Sequence, residues 1–186
     1  MVQSVAYWLV LTFLIRLNKV SLPRLSVSNL TWWTALFNFV SPFVIGGAIF
    51  ASLRPCLTAL DMAQCVVWAV FNGTLEELFW RGVLTRVGTR ELGPDRTWLL
   101  SSLFFGLRHV MFAGFLMPDA RIPYSVPLVV IWTGLLGLLW GYELKRSRDN
   151  LFATVFHHVA ICILGIFPEH VNILKGAKCV PPIDFF

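Results

Sequence analysis

The chain has 186 residues, of which 57% are hydrophobic and 13% charged, with a formal net charge of +5. Soluble domains carry about 25% charged residues, so this composition excludes an ordinary water-faced globule and points to a surface that meets lipid. The basic excess does not indicate nucleic acid, because the cations fall between apolar segments, where anionic membrane lipid would attract them.

The expected fold class is all-α: a polytopic membrane bundle of about six helices, forming one domain over 1–186. A span needs about 20 predominantly apolar residues. The first apolar segment, Val2 to Leu17, is short, and it lacks the basic n-region and small-residue cleavage site of a cleaved leader. The second, Thr31 to Leu53, contains Pro42 and Gly46-Gly47, which predict a kink. The third, Leu57 to Val87, is too long for one perpendicular span and should tilt or run into the interface. The fourth is Thr97 to Phe115, the fifth Pro123 to Leu144 and the sixth Asn150 to Phe167, with Pro118 and Pro123 between the fourth and fifth. The chain after Pro168 is polar enough to leave a bilayer.

Loop charges set the orientation. Arg16, Lys19, Arg24, Arg86, Arg90, Arg96, Lys145, Arg146 and Arg148 flank the first, third and fifth connections. The other side holds Arg54, Arg121, Lys175 and Lys178. Nine against four predicts that these three connections are cytosolic and that both termini lie outside. The expected location is multi-pass, in the cell membrane.

Polar chemistry is confined to islands within the apolar segments, and intramembrane ionisable groups usually mark function. The richest island is Glu76-Glu77-Leu78-Phe79-Trp80-Arg81. Glu77 and Arg81 stand four apart and can pair on one helical face. Glu76, rotated by about 100°, is left as a carboxylate that could act as a base on water. The alternative is that both glutamates only tie helices together. Phe105 precedes His109 by four residues, so the ring can buttress the imidazole. His157 and His158 are adjacent and point about 100° apart, so one of them faces the site of Glu76 and the other meets another neighbour. At about 1.5 Å per residue, Glu76, His109 and His158 lie roughly 12–18 Å from the cytosolic ends of their segments, near one depth.

A metal site is permitted but not demanded. HExxH is absent, yet Glu76, His109 and His158 are acceptable zinc ligands. A metal-free glutamate base is equally permitted, so no cofactor is required. The cysteines Cys56, Cys65, Cys162 and Cys179 form no CxxC pair. Cys65 and Cys162 read as core residues, and a disulfide between Cys56 and Cys179 is left open. Asp61, near the start of the third segment, suits a helix N-terminus.

Taken in order, Glu76-Glu77-x-x-x-Arg81, Phe105-x-x-x-His109 and the phrase Asn150 to His158 resemble the CPBP family, the CAAX-protease and bacteriocin-processing (Abi-type) intramembrane endopeptidases. The resemblance covers roughly 57–167. It implies peptide-bond hydrolysis within the membrane, with Glu76 as general base, His109 holding the water and His158 helping to stabilise the oxyanion. Arg81 would be structural through Glu77. The implied partners are membrane lipid and a peptide or protein substrate, such as a lipidated C-terminus, a leader peptide or a membrane-protein tail. The family's third motif is HxxxN, and its register places the asparagine on Cys162. A thiol is a weaker donor than an amide, and Asn72, one turn before Glu76, could substitute. Two other readings compete: a non-catalytic immunity or scaffold protein that keeps the fold, which Cys162 favours, and a small transporter, which no inverted repeat supports.

Overall fold

The computed structural model describes residues 2–21, 25–26, 30–116, 125–146 and 150–166. Among them the secondary structure is helical: α1 (Val2–Asn18), α2 (Trp32–Leu53), α3 (Ala59–Glu77), α4 (Thr85–Leu92), α5 (Pro94–Leu116), α6 (Ser125–Arg146) and α7 (Phe152–Ile161). The all-α expectation is met. Among the described residues, no helix is long and apolar enough to cross a membrane. The helices are interrupted by the polar groups that drew notice in the sequence, and α7 has only ten residues before its winding changes. Cys179 and His170 lie outside the described residues, as do Pro118, Pro123, Arg121, Lys175 and Lys178.

The third apolar segment is not wound uniformly as α-helix. A 3₁₀ turn over Arg54–Cys56 precedes it, α3 stops at Glu77, and Leu78–Leu84 winds as a π-helix before α4 resumes. Wider winding turns Trp80, Arg81, Gly82 and Val83 inward in succession, and all four are buried. An α-helix would have sent at least one of four consecutive side chains outward. The Thr85 hydroxyl donates to the Trp80 carbonyl at 2.7 Å, satisfying an acceptor where the hydrogen-bond pattern shifts. Such π-turns are frequent at functional sites.

The chain divides into two compact units. The first contains α2, α3, α7 and the π-turn Cys162–Ile166. Thr31 caps α2, its hydroxyl accepting from the Thr34 N–H at 3.3 Å. Thr58 and Asp61 form a capping box at the start of α3. Asp61 Oδ2 accepts from the Thr58 N–H at 2.8 Å and from its hydroxyl at 2.6 Å, and the Asp61 N–H donates back at 3.2 Å. This gives Asp61 a partner in its buried position as well as a favourable place in the helix dipole. Phe39 packs edge-on to Phe156, centroids 4.6 Å apart. Cys162 packs with Ala69 and Ile161. Cys65 and Cys162 are buried thiols outside any disulfide.

Gly73 sets the approach of α3 to α7. A Cβ there would lie 3.0 Å from Val159 Cγ2 and 3.2 Å from its backbone nitrogen. Small residues let helix backbones approach in this way. Gly73→Val should therefore push α7 away and cost about 1–3 kcal/mol through overpacking. A denaturant titration of the purified chain would measure it.

The second unit contains residues 6–25 and 78–151, with most of α1, the π-helix and α4 to α6. Its core is Trp80, Phe105, Leu136 and Trp140, against which Phe79 and Leu84 pack. Helices α5 and α6 cross closely at Gly106, where a Cβ would sit 2.8 Å from the Val130 carbonyl oxygen. The Trp98 indole N–H donates to the Leu138 carbonyl at 2.8 Å and fixes the same pair of helices.

Candidate active site

In the first unit, α3 and α7 bring Glu76, Glu77 and His158 together. Glu76 and Glu77 are the last two residues of α3, and all three side chains are buried. His158 Nδ1 lies 2.9 Å from Glu77 Oε1. A carboxylate only accepts, so Nδ1 carries the proton and donates. The other ring nitrogen, Nε2, is then turned toward Glu76, 3.9 Å from Oε2. That distance exceeds a hydrogen bond. The Asn72 amide donates to the other Glu76 oxygen, Oε1, at 2.7 Å and fixes the plane of the carboxylate. Cys162 stands one turn beyond His158 and is buried.

His157 takes the other direction, as two adjacent helical residues must. Its Nδ1 lies 3.1 Å from Asn38 Oδ1 on α2, and the Asn38 amide donates to the Thr34 carbonyl at 2.8 Å. Phe37 flanks the imidazole, ring centroids 5.1 Å apart. His157 and Asn38 are both wholly buried, so this bond fixes the rotation of α7 against α2 and thereby the direction of His158. Asn38→Leu should cost about 1–3 kcal/mol by leaving a buried donor poorly satisfied. The double variant Asn38→Leu/His157→Phe should recover much of that loss, and a double-mutant cycle on unfolding free energies would show it.

In the second unit the π-helix buries Arg81 between two rings. Its guanidinium carbon lies 4.1 Å from the Phe105 centroid and 5.0 Å from that of Trp140. Glycine at position 137 makes room, since a Cβ there would lie 3.1 Å from the Arg81 guanidinium. Phe105 meets His109 edge to face, centroids 4.8 Å apart, as the spacing predicts. His109 Nδ1 lies 2.7 Å from the Phe105 carbonyl oxygen. A carbonyl cannot donate, so the neutral ring carries its proton on Nδ1 and presents a lone pair at Nε2. His109 is half-buried.

Sequence reasoning missed three of these features. The Glu77–His158 bond joins two helices, whereas counting along one helix had offered only Arg81 as a partner for Glu77. The aromatic bed of Arg81 depends on the π-turn, which residue spacing does not announce. Asn38 had a faint signal: adjacent buried histidines need two partners, and Asn38 is the one amide within α2. Among the described residues, no group of three or more His, Cys, Asp or Glu side chains is disposed to hold a metal ion.

Among the described residues the carboxylates of Asp61, Glu76, Glu77 and Glu143, the imidazoles of His157 and His158 and the Arg81 guanidinium are buried, while many leucine, valine and phenylalanine side chains are exposed. The model of the type II CAAX prenyl endopeptidase Rce1-like family matches residues 58–164, which include every residue from Glu76 to Cys162 discussed above. The chain belongs to that family, and membership places it among the CAAX-type intramembrane endopeptidases. No curated protein and no solved structure matched it.

Proposed function

We propose that this chain hydrolyses a peptide bond at the membrane with water activated by Glu76. The observation that carries the reading is the buried Glu76–His158–Glu77 cluster, with Nε2 of His158 turned toward the Glu76 carboxylate. Glu76 would take a proton from water as the oxygen attacks the scissile carbonyl, then deliver it to the leaving amine. His158, as an imidazolium with its Nδ1–H held by Glu77, would donate its second proton from Nε2–H toward the developing oxyanion. His109, with a lone pair on Nε2, would hold the attacking water. Asn72 would orient Glu76 rather than replace the asparagine of the third motif. Arg81 would serve structurally, by fixing Phe105 and through it His109.

The membrane setting is supported by where the apolar side chains lie. Along α5, Leu99, Leu103, Phe104 and Leu107 are exposed while Ser101 and Ser102 are buried. On α3, Val67, Val70 and Phe71 are exposed while Glu76 and Glu77 are buried. Exposed apolar surface of this extent fits contact with membrane or with another protein, and the family favours the membrane. The proposed setting is a polytopic arrangement of about six segments in the cell membrane, which the loop charges would orient with the first, third and fifth connections in the cytosol.

The substrate class proposed is a membrane-associated peptide, with a prenylated C-terminal peptide as the first probe, given the family. A farnesylated fluorogenic peptide and its unprenylated twin would test it, and cleavage of the first alone would support a lipid-reading substrate site. Cleavage is expected to persist in a chelator. Loss in the chelator and recovery with zinc would instead support a metal bound by Glu76, His109 and His158.

Cys162 favours the competing reading of a non-catalytic scaffold, since it is buried where the third motif of the family carries asparagine. If the thiol is only a weaker donor, Cys162→Asn should raise kcat by about tenfold, the value of one better hydrogen bond to a charged oxygen. A steady-state assay of both forms decides between them: a scaffold gives no turnover from either.

A further inference from the structure

The first unit holds an apolar groove that the catalytic reading does not use. Its volume is about 380 Å³, within the roughly 300–1,000 Å³ of small-molecule sites. Phe43 of α2 lines one side and Val70 and Thr74 of α3 the other. Val155 and Val159 of α7 and Leu164 of the following π-turn lie between them. Two glycines bring these walls close to the floor. A Cβ at Gly46 of α2 would lie 2.7 Å from Leu164 Cβ, and one at Gly73 of α3 would lie 3.0 Å from Val159 Cγ2. Phe43 is 54% and Val70 46% exposed, so the groove opens outward.

One end of the groove approaches the Glu77–His158 pair. Residues three or four apart share a helical face. Val70, Thr74 and Glu77 follow that spacing on α3, and Val155 precedes His158 by three residues on α7. Glu77 and His158 are themselves joined at 2.9 Å. The groove therefore begins one turn from the bond that orients His158 and runs away from it. Val155 and Leu164 stand roughly 13 Å apart along the axis at about 1.5 Å per residue. Thr74 supplies the one hydroxyl in a lining whose other side chains are hydrocarbon.

We propose that this groove holds the hydrocarbon chain of a lipidated substrate while the substrate's peptide lies at the Glu76–His158–Glu77 cluster. The inference rests on the peptidase reading above and adds the place where the chain is read. The occupant is a chain borne by the substrate rather than one of bulk membrane lipid. Transfer from one hydrocarbon surrounding to another gains little, so an untethered acyl chain has no preference for the groove. A chain attached beside a carbonyl at the cluster is held at the groove's mouth at high effective concentration.

The test uses the full chain in phosphatidylcholine nanodiscs with a farnesylated peptide. Val70→Trp, which fills the groove from an exposed position, should raise KM about tenfold, the usual effect of a small misfit in an apolar pocket, and leave kcat unchanged. Phe43→Ala, which widens the groove, should shift preference toward a geranylgeranylated peptide. Leu99→Ala, at an exposed site on α5 in the other unit, should change neither. A second readout does not need turnover. In Glu76→Gln, a farnesyl analogue carrying a terminal diazirine on the peptide should label residues 159–164. Unlabelled farnesylated peptide should displace that label, and Val70→Trp should lose it. Label spread over exposed leucines of both units would show bulk partition only. That result, or Val70→Trp equal to wild type in both assays, would overturn the groove and leave the Glu76 reading intact. Displaceable label in the groove with no turnover by wild type would uphold the chain site and remove the peptidase reading.

Discussion

Glu76→Gln is expected to lower kcat by about 10²–10⁴-fold, the usual contribution of a positioned general base. KM and stability should change little. Glutamine keeps an oxygen that can accept the Asn72 amide, which now meets Glu76 Oε1 at 2.7 Å, and it occupies nearly the same volume. What it loses is the ability to take a proton from water. The buried position makes the comparison clean, since an isosteric neutral amide does not open a cavity. Glu77→Gln should behave differently. It weakens the bond that orients His158, so kcat should fall less and thermal stability should fall more. Parallel kinetics and thermal melts on the two variants separate base from orienter, and turnover by Glu76→Gln equal to wild type would remove Glu76 as the base.

Arg81→Ala should give the largest loss of stability in the chain, about 4 kcal/mol. The guanidinium lies over two buried rings, and a desolvated cation–π contact is worth about 2 kcal/mol. Alanine also leaves a void beside Phe105 and Trp140. Arg81→Lys should recover only part of the loss, because an ammonium lacks the flat face that stacks on aromatic rings. Catalysis should suffer as well. The Phe105 carbonyl holds His109 Nδ1 and its ring abuts the imidazole, so movement of Phe105 moves His109. Chemical unfolding of the three forms, with kcat measured on each, would show it. Arg81→Ala as stable as Arg81→Lys would contradict the stacking account.

The sequence carried the helical class and the chemistry-bearing residue types, because lipid-like composition makes polar islands conspicuous. Glu76, His109 and His158 stood out since each interrupts an apolar run. Phe105 against His109 was legible because both lie on one continuous α-helix, where a spacing of four means contact. The divergence of His157 from His158 followed from the same 100° rotation. The partners that join separate helices were not legible. Glu77 to His158 spans 81 positions and Asn38 to His157 spans 119, and single-helix periodicity says nothing at such separations. The change of winding after Glu77 was hidden for another reason. A π-turn is stabilised by what surrounds it, here the packing of Trp80 and Arg81 with Phe105 and Trp140, and no local residue pattern announces it.

The central claim is that water, activated by Glu76, attacks the peptide carbonyl directly. A single turnover in ¹⁸O-water, with reconstituted chain in excess over farnesylated peptide, tests this by following the label. Direct attack places one ¹⁸O in the new C-terminal carboxylate of the product and none in the Glu76 side chain. Label recovered in the peptide that carries Glu76 would mean that the carboxylate itself attacked and was later hydrolysed, and an absence of product would mean that the cluster is not an active site.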